Sequence, residues 1–448
     1  MAEQIIKFKT SLIFWKLYES DLEFTNEEVK WLLENSSYKN QLYDGYYFEN
    51  DEGKRMPLKW IAATGHLYMP QTLKFGEDTF KCRENLEIHG KIQIDGHLYP
   101  QGVLVVQARL DFSNYMEIER LIIASIPDNV IMSDGINMKE KLDYFASEFL
   151  NGFLKKHIKA GIQTTKEKAS PWHHNWIWWD CDPKIPINEF EPQGKYFKWA
   201  LGMCTRSDKW RELNTENYSK EIENVPNLSP YYGNCVYITH PGNCIIPSSS
   251  FKDPNAVKNT LIDVLFAAEL GNVQRYLILT HLQDFNFKSL EVWKLIHDRR
   301  YKDLKLKDLI KNLEDLEDEV NELVLEINKD LQITRTNRLI FTSVYKTKIF
   351  RQMIHALHGD DFYEGLQKLI VELKDSLTQE RDALNTKAAE EENVFLRNLQ
   401  VVFIIGLVAQ MITLFYAVDD FAFDLGTIFV LVSVAVSIII LLILRKIR

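Results

Sequence analysis

At 448 residues the chain has room for two or three domains, and its formal net charge is −10, from 53 Lys and Arg against 63 Asp and Glu. That balance excludes wholesale binding of a nucleic-acid polymer, which needs clustered cations to meet phosphates, but not a pocket for one nucleotide. Five cysteines, Cys82, Cys181, Cys204, Cys235 and Cys244, form no Cys-x-x-Cys pair; this argues against a disulfide framework or a structural zinc site and for reduced cytosolic thiols.

The first residues lack the basic, apolar, small-residue order of a cleavable signal peptide. Residues 5–18 alternate instead, apolar residues with Lys7, Lys9 and Lys16, which predicts a strand. Residues 86–94 alternate as well, and Val103-Leu104-Val105-Val106 within 102–112 marks a more deeply buried strand. Asp95-Gly96 between them predicts a hairpin turn. Thr25-Asn26-Glu27-Glu28 is a helix start, with Val29, Leu32 and Leu33 as its apolar face. Residues 137–158 read as a longer helix striped by Leu142, Phe145, Phe149, Leu150 and Phe153. After a polar connection at 161–170, strands are predicted at 172–179, 234–239 and 244–246, with a turn at His240-Pro241-Gly242-Asn243, then a strong helix over 255–280. The expectation is an α/β cytosolic domain over 1–298, a sensor or regulatory unit with two halves splitting near 160–171.

Trp172-His173-His174-Asn175-Trp176-Ile177-Trp178-Trp179 is the most unusual local composition. Trp172, His174, Trp176 and Trp178, with the small loop at His240 and Asn243, form a candidate aromatic box for a planar ligand such as a purine, at about 1–3 kcal/mol per stacked base. Alternate tryptophans of a strand are equally the residues of a core, and 239–243 is equally a plain turn. Adjacent histidines of a strand point to opposite faces, so His173 and His174 make a poor metal pair. No phosphate loop, Gly-x-Gly-x-x-Gly or Gly-x-Ser-x-Gly occurs, so the sequence does not point to an enzyme.

From Tyr301 the character changes. Leu306, Leu309, Leu313, Leu316, Val320, Leu323 and Ile327 alternate spacings of three and four, a heptad seam whose partner is a second chain or a helix of the same one. Phe341, Tyr345, Ile349 and Met353 continue an i, i+4 row, and His358-Gly359-Asp360-Asp361 is a reversal. From about Phe362 one unbroken helix is predicted to run to about Val418, roughly 85 Å at the usual rise. Residues 299–400 are thus helical struts and a stalk.

Residues 401–418 and 426–444 are two apolar runs of about 18–19 residues, near the length that spans a hydrocarbon core. A short acidic turn joins them and Arg445-Lys446-Ile447-Arg448 follows, so 401–448 reads as a transmembrane hairpin with a basic tail, both termini cytosolic. Gly406, Gln410, Thr413 and Ala417 share one helical stripe, met upstream by Val402, Leu399 and Asn398. Around a common axis this stripe would line a pore with apolar rings able to close it; close helix packing through small residues is the competing reading. Asp419, Asp420 and Asp424 would ring the outer mouth, with Asp419 and Asp420 as oxygen ligands for Mg²⁺ or another divalent cation.

This layout resembles the CorA-type divalent-cation channels. In that family the first span ends in Tyr-Gly-Met-Asn-Phe or a variant; here Tyr416-Ala417-Val418-Asp419-Asp420-Phe421 stands at that place, with Ala for Gly, Val for Met, Asp for Asn and one extra residue. The resemblance covers about residues 300–448 in layout. It implies a homopentamer in the inner (plasma) membrane with the first span around the axis, while the degenerate motif puts Mg²⁺ selectivity in doubt. A divergent branch of the family accompanies type III CRISPR systems and responds to an adenosine-nucleotide messenger, which the enlarged N-terminal domain suits. Three functions are therefore expected: a cation channel gated through the stalk, a nucleotide-activated antiviral membrane effector, or a coiled-coil membrane tether without a pore.

Overall fold

The computed structural model describes residues 5–19, 26–44, 47–49, 55–57, 69–85, 87–154, 156, 172–206, 226–229, 234–240, 242–247, 254–297, 306–332, 340–418, 432 and 435. The chain divides into two compact units, Met1–Gln283 with Glu326–Leu366, and Asp284–Leu325 with Gln367–Arg448.

The first unit is built on a mixed sheet. Its strands are β1 (Lys7–Glu19), β2 (Leu42–Asp44), β5 (Gln71–Cys82), β6 (His89–Leu98), β7 (Val103–Phe112), β8 (Val130–Met132), β9 (His173–Asp182), β10 (Cys235–Ile238) and β11 (Gly242–Ile246), with β3 (Tyr47–Glu49) and β4 (Arg55–Pro57) forming a separate hairpin. The order is β10-β11-β9-β1-β7-β6-β5-β2, and β8 also pairs with β5. Only β11 and β9 run parallel among these pairs. Strands from both sides of residues 160–171 thus belong to one sheet, centred on β1.

Two differences from the pattern reading have physical causes. Asp95 and Gly96 are interior to β6, opposite Gln107 and Val106. The chain reverses later, at Tyr99–Gly102, where Gly102 takes φ 78° and Tyr99 N–H donates to the Val103 carbonyl at 2.8 Å. Gly96 lies instead where a Cβ would press into the Phe75 ring, so its glycine serves packing. Strand β5 has no expected counterpart: its register shifts between Lys74 and Gly76 and its middle residues are partly exposed, which erases the alternation.

One face of the sheet carries Phe8, Leu12, Phe14, Leu110, Phe112, Trp176 and Trp178 in a continuous apolar core. Over it lie α1 (Asn26–Glu34), α2 (Ile118–Ala124), α3 (Met138–Ser147), a π-helical turn (Glu148–Leu154) and α4 (Phe197–Thr205). Asn137 caps α3 by accepting from Glu140 N–H at 2.8 Å. The opposite face meets α5 (Pro254–His297), whose residues 261–278 are buried on every side. Helix α7 (Val344–Ala356) packs on α5 at Gly271, where a Cβ would stand 2.8 Å from both Phe350 O and Met353 Cβ.

In the second unit, α6 (Leu306–Asp330) buries Leu313, Leu316 and Val320, the predicted seam. Its partner there is a helix of the same chain: Arg381 Nη1 donates to Glu317 Oε2 at 2.6 Å from α8 (Gly359–Val418), and Lys288 of α5 pairs with Glu319. Helix α8 is a single element of 60 residues. It is long and apolar enough to cross a membrane, and its most apolar window is not buried within the chain.

Candidate functional site

Register decides what the tryptophan-rich strand can do. Trp176 stands opposite Leu12 and Trp178 opposite Thr10, on the apolar face. Trp178 packs 4.3 Å from Phe8 and 5.5 Å from Phe190, measured between ring centroids, while Trp172 meets Phe14 at 5.9 Å. Trp178 also borders a cavity of about 440 Å³ with Trp179, Cys181 and Lys184. His174 is fully buried and shares a hydrogen bond of 3.2 Å with the Met203 carbonyl; burial holds its pKa well below the usual histidine range. A Cβ on Gly242 would stand only 2.3 Å from atoms of the His174 ring, so the parallel pairing of β11 with β9 favours glycine at this position. Trp172, His174, Trp176 and Trp178 therefore sit on the face away from α5, and His240 and Asn243 do not join them.

The face toward α5 is buried yet polar. Ile13, Asn175 and Asn243 lie side by side on β1, β9 and β11, and Trp15 lies beside His173. Asn243 Nδ2 donates to Asn175 Oδ1 at 2.7 Å, and Asn175 Nδ2 to the Ile13 carbonyl at 3.4 Å. His173 stacks on Trp15 with centroids 5.8 Å apart, and Trp15 Nε1 donates to Gln107 Oε1 at 3.0 Å. Burial pushes the His173 pKa down to about 3, with Arg206, His240 and Arg275 adding positive charge nearby, so the imidazole is neutral. Further along this face His97 Nδ1 lies 2.7 Å from Glu269 Oε1, and Tyr99 Oη donates to the same oxygen at 2.9 Å. Burial works against the charged form of His97, but the Glu269 carboxylate outweighs it and the pKa is raised.

These polar rows lead to the place where α8 begins. On the inner side of α7, Lys346 Nζ pairs with Asp263 Oδ1 at 2.8 Å, the Tyr345 hydroxyl donates to Asp263 Oδ2 at 2.8 Å, and Met353 Sδ lies 3.8 Å from Asn243 Nδ2. After α7 the chain reverses through His358 at φ 57°. Arg275 holds this reversal twice: its Nε donates to the Leu357 carbonyl at 3.3 Å, and its guanidinium lies 5.6 Å from the centroid of the Phe362 ring. The His240 ring stands 5.3 Å from the His358 ring, so His240 is brought to the start of α8, while Asn243 stays against α7 at Met353. His355 Nδ1 to Asp360 Oδ2, at 3.0 Å, closes the first turn from outside.

Beside the reversal lies a cleft of about 850 Å³ between α7 and residues 226–229. Tyr345, Lys348, Arg351, His355 and Asp360 line one side, and Asn227 the other. The sequence reading missed Asp263, Glu269, Arg275, Lys346 and Lys348. The available signal was charge at positions of otherwise apolar helices, at Asp263, Glu269 and Arg275 within 261–280 and at Lys346 beside Tyr345.

Along α8, Asn398 and Gln410 are exposed and Gly406 is half-buried. The half-buried positions run Phe395, Leu399, Val402, Gly406 and Ala409, at alternating spacings of four and three. The helix reaches Val418, but the side chains of Thr413, Tyr416, Ala417 and Val418 lie outside the described residues, as do Asp419, Asp420 and Asp424. Among the described residues no group of His, Cys, Asp and Glu could hold a metal ion. Compared with protein-family models, curated proteins and solved structures, the chain matches none.

Proposed function

We propose that the chain is one subunit of a CorA-like homo-oligomeric membrane channel for cations, controlled by its first unit through α8. The observation that carries this reading is the single 60-residue helix from Gly359 to Val418. It starts in a reversal gripped by Arg275 and ends in an apolar segment where Phe403, Ile404, Ile405, Leu407, Val408 and Met411 are all exposed. Apolar side chains presented around the circumference of a helix need lipid or other subunits to cover them. The Glu317–Arg381 pair weighs against the tether reading, because it gives the α6 seam a partner inside the chain. In this account Asn398, Gly406, Gln410, Thr413 and Ala417 face the axis, and Asp419 and Asp420 attract hydrated Mg²⁺ or a similar cation at the mouth.

The nucleotide-controlled effector is the second reading, and the cleft beside the start of α8 favours it. Cation flux into liposomes tests the first. Gln410→Leu is expected to lower flux and Asp419→Ala to weaken the preference for divalent ions; flux and selectivity untouched by both would remove the pore assignment.

A further inference from the structure

We infer that the cleft between α7 and residues 226–229 is a binding site for a small organic phosphate, held by Lys348, Arg351 and His355. The three side chains stand at i, i+3 and i+7 on α7, so their heads emerge along one face of the helix. That face is opposite the one carrying Lys346 and Met353, which are anchored to Asp263 and Asn243. The cationic row is thus displayed on a helix fixed from behind, the condition for a preorganised site.

The far wall is also fixed. Asn227 Oδ1 accepts from the backbone N–H of Ser229 at 3.1 Å and of Val236 at 3.0 Å, and its Nδ2 donates to the Asn234 carbonyl at 2.9 Å. One side chain therefore ties residues 226–229 to the edge strand β10. At about 850 Å³ the space is in the range of small-molecule sites and far larger than a bare phosphate needs. Val344, Phe350 and Ile354 give it apolar lining for an organic part, and Tyr345 offers a ring locked by its bond to Asp263.

Charge selects an anion. Asp360 is the carboxylate among the described lining residues, and His355 already pairs with it. Lys348 makes no ion pair among the described residues. A phosphate placed between Lys348 and Arg351 would gain the Lys348 ammonium as a charge-assisted donor, share Arg351 with the interaction it already makes, and compete with Asp360 for His355. Because Asp360 belongs to the first turn of α8, occupancy reaches that turn directly. The effect on flux rests on the channel reading; the binding site does not.

The test is equilibrium binding of adenosine diphosphate and of inorganic pyrophosphate to the full chain in detergent, where no flux is read. Saturable binding of adenosine diphosphate is expected, tighter than that of pyrophosphate. Lys348→Glu and Arg351→Glu should each weaken it at least tenfold, with Lys368→Glu on exposed α8 as a charge-matched control and melting curves reporting that each variant folds. Failure of adenosine diphosphate to saturate at millimolar concentration overturns the site. So does affinity unchanged in both cleft variants, or loss in the Lys368→Glu control alike.

Discussion

On one face of the sheet Phe8, Phe14, Phe112, Trp176 and Trp178 meet the short helices, with one buried cation, Lys16, paired to Asp143 of α3 beside them, whereas the other face buries His97, His173, Asn175, Asn243 and Glu269 against α5. Both faces lose contact with water, so burial alone does not distinguish them. The apolar face supplies the driving force, because aromatic side chains remove the most surface from water and tolerate many arrangements. The polar face is demanding in another way. Each hydrogen bond there fixes one position, and a shift of α5 or α7 would strand a buried donor or acceptor. The helices that lead to α8 are thus seated on the face that specifies geometry.

The contrast can be broken from either side. Trp176→Ala should cost about 3–5 kcal/mol in denaturant unfolding, as a large side chain is lost from a dry core. Lys346→Met should cost a similar amount, about 3–5 kcal/mol, for the opposite reason: it leaves Asp263 buried without its cation. Adding Asp263→Leu to Lys346→Met should restore most of the loss, whereas no second change of that kind rescues Trp176→Ala. If the Lys346→Met loss stays after the second substitution, the polar face is not limited by charge pairing.

Titration separates the faces more finely. The folded His173 pKa of about 3 lies below its ordinary 6.5, so between those values the unfolded state binds more protons and stability falls as pH drops. The slope is up to about 1.4 kcal/mol per pH unit. His97 is raised, so its contribution is complete below 6.5 and is lost as pH rises through its folded value. Thermal melting across pH should therefore peak near the ordinary histidine range. His173→Gln should flatten the acid limb, and His97→Gln the alkaline limb; unchanged limbs would contradict the assignments.

Smaller effects follow. Asn243→Leu removes the donor to Asn175 and should cost about 1–3 kcal/mol. Arg381→Ala, a partly exposed pair in the second unit, should cost no more than about 1 kcal/mol in the same unfolding measurement. A larger loss there than at Asn243 would reverse the ranking of the two regions.

Much of the frame was legible in the sequence because it depends on periodicity. The seam from Leu306 to Ile327 survives because it reflects one buried stripe; β1 and β9 form where alternation placed them although both their faces are buried, and the break at His358 survives as a left-handed turn. Strand β5 was not legible, because a register shift and exposed middle residues blur its period. The polar rows escaped for a deeper reason. Alternation along β9 correctly separates Trp176 from Asn175, but a polar residue reads as surface, and nothing local says that α5 will cover it. Arg275 and Lys348 act through a reversal and a cleft formed by segments some 80 to 130 residues apart, which no short pattern encodes.

The central claim is that several copies of this chain close around a common axis formed by the membrane end of α8. Native mass measurement of the full chain in detergent tests it most directly. The account predicts a closed ring, a pentamer by the CorA resemblance; a monomer or dimer under conditions that preserve membrane oligomers would contradict it.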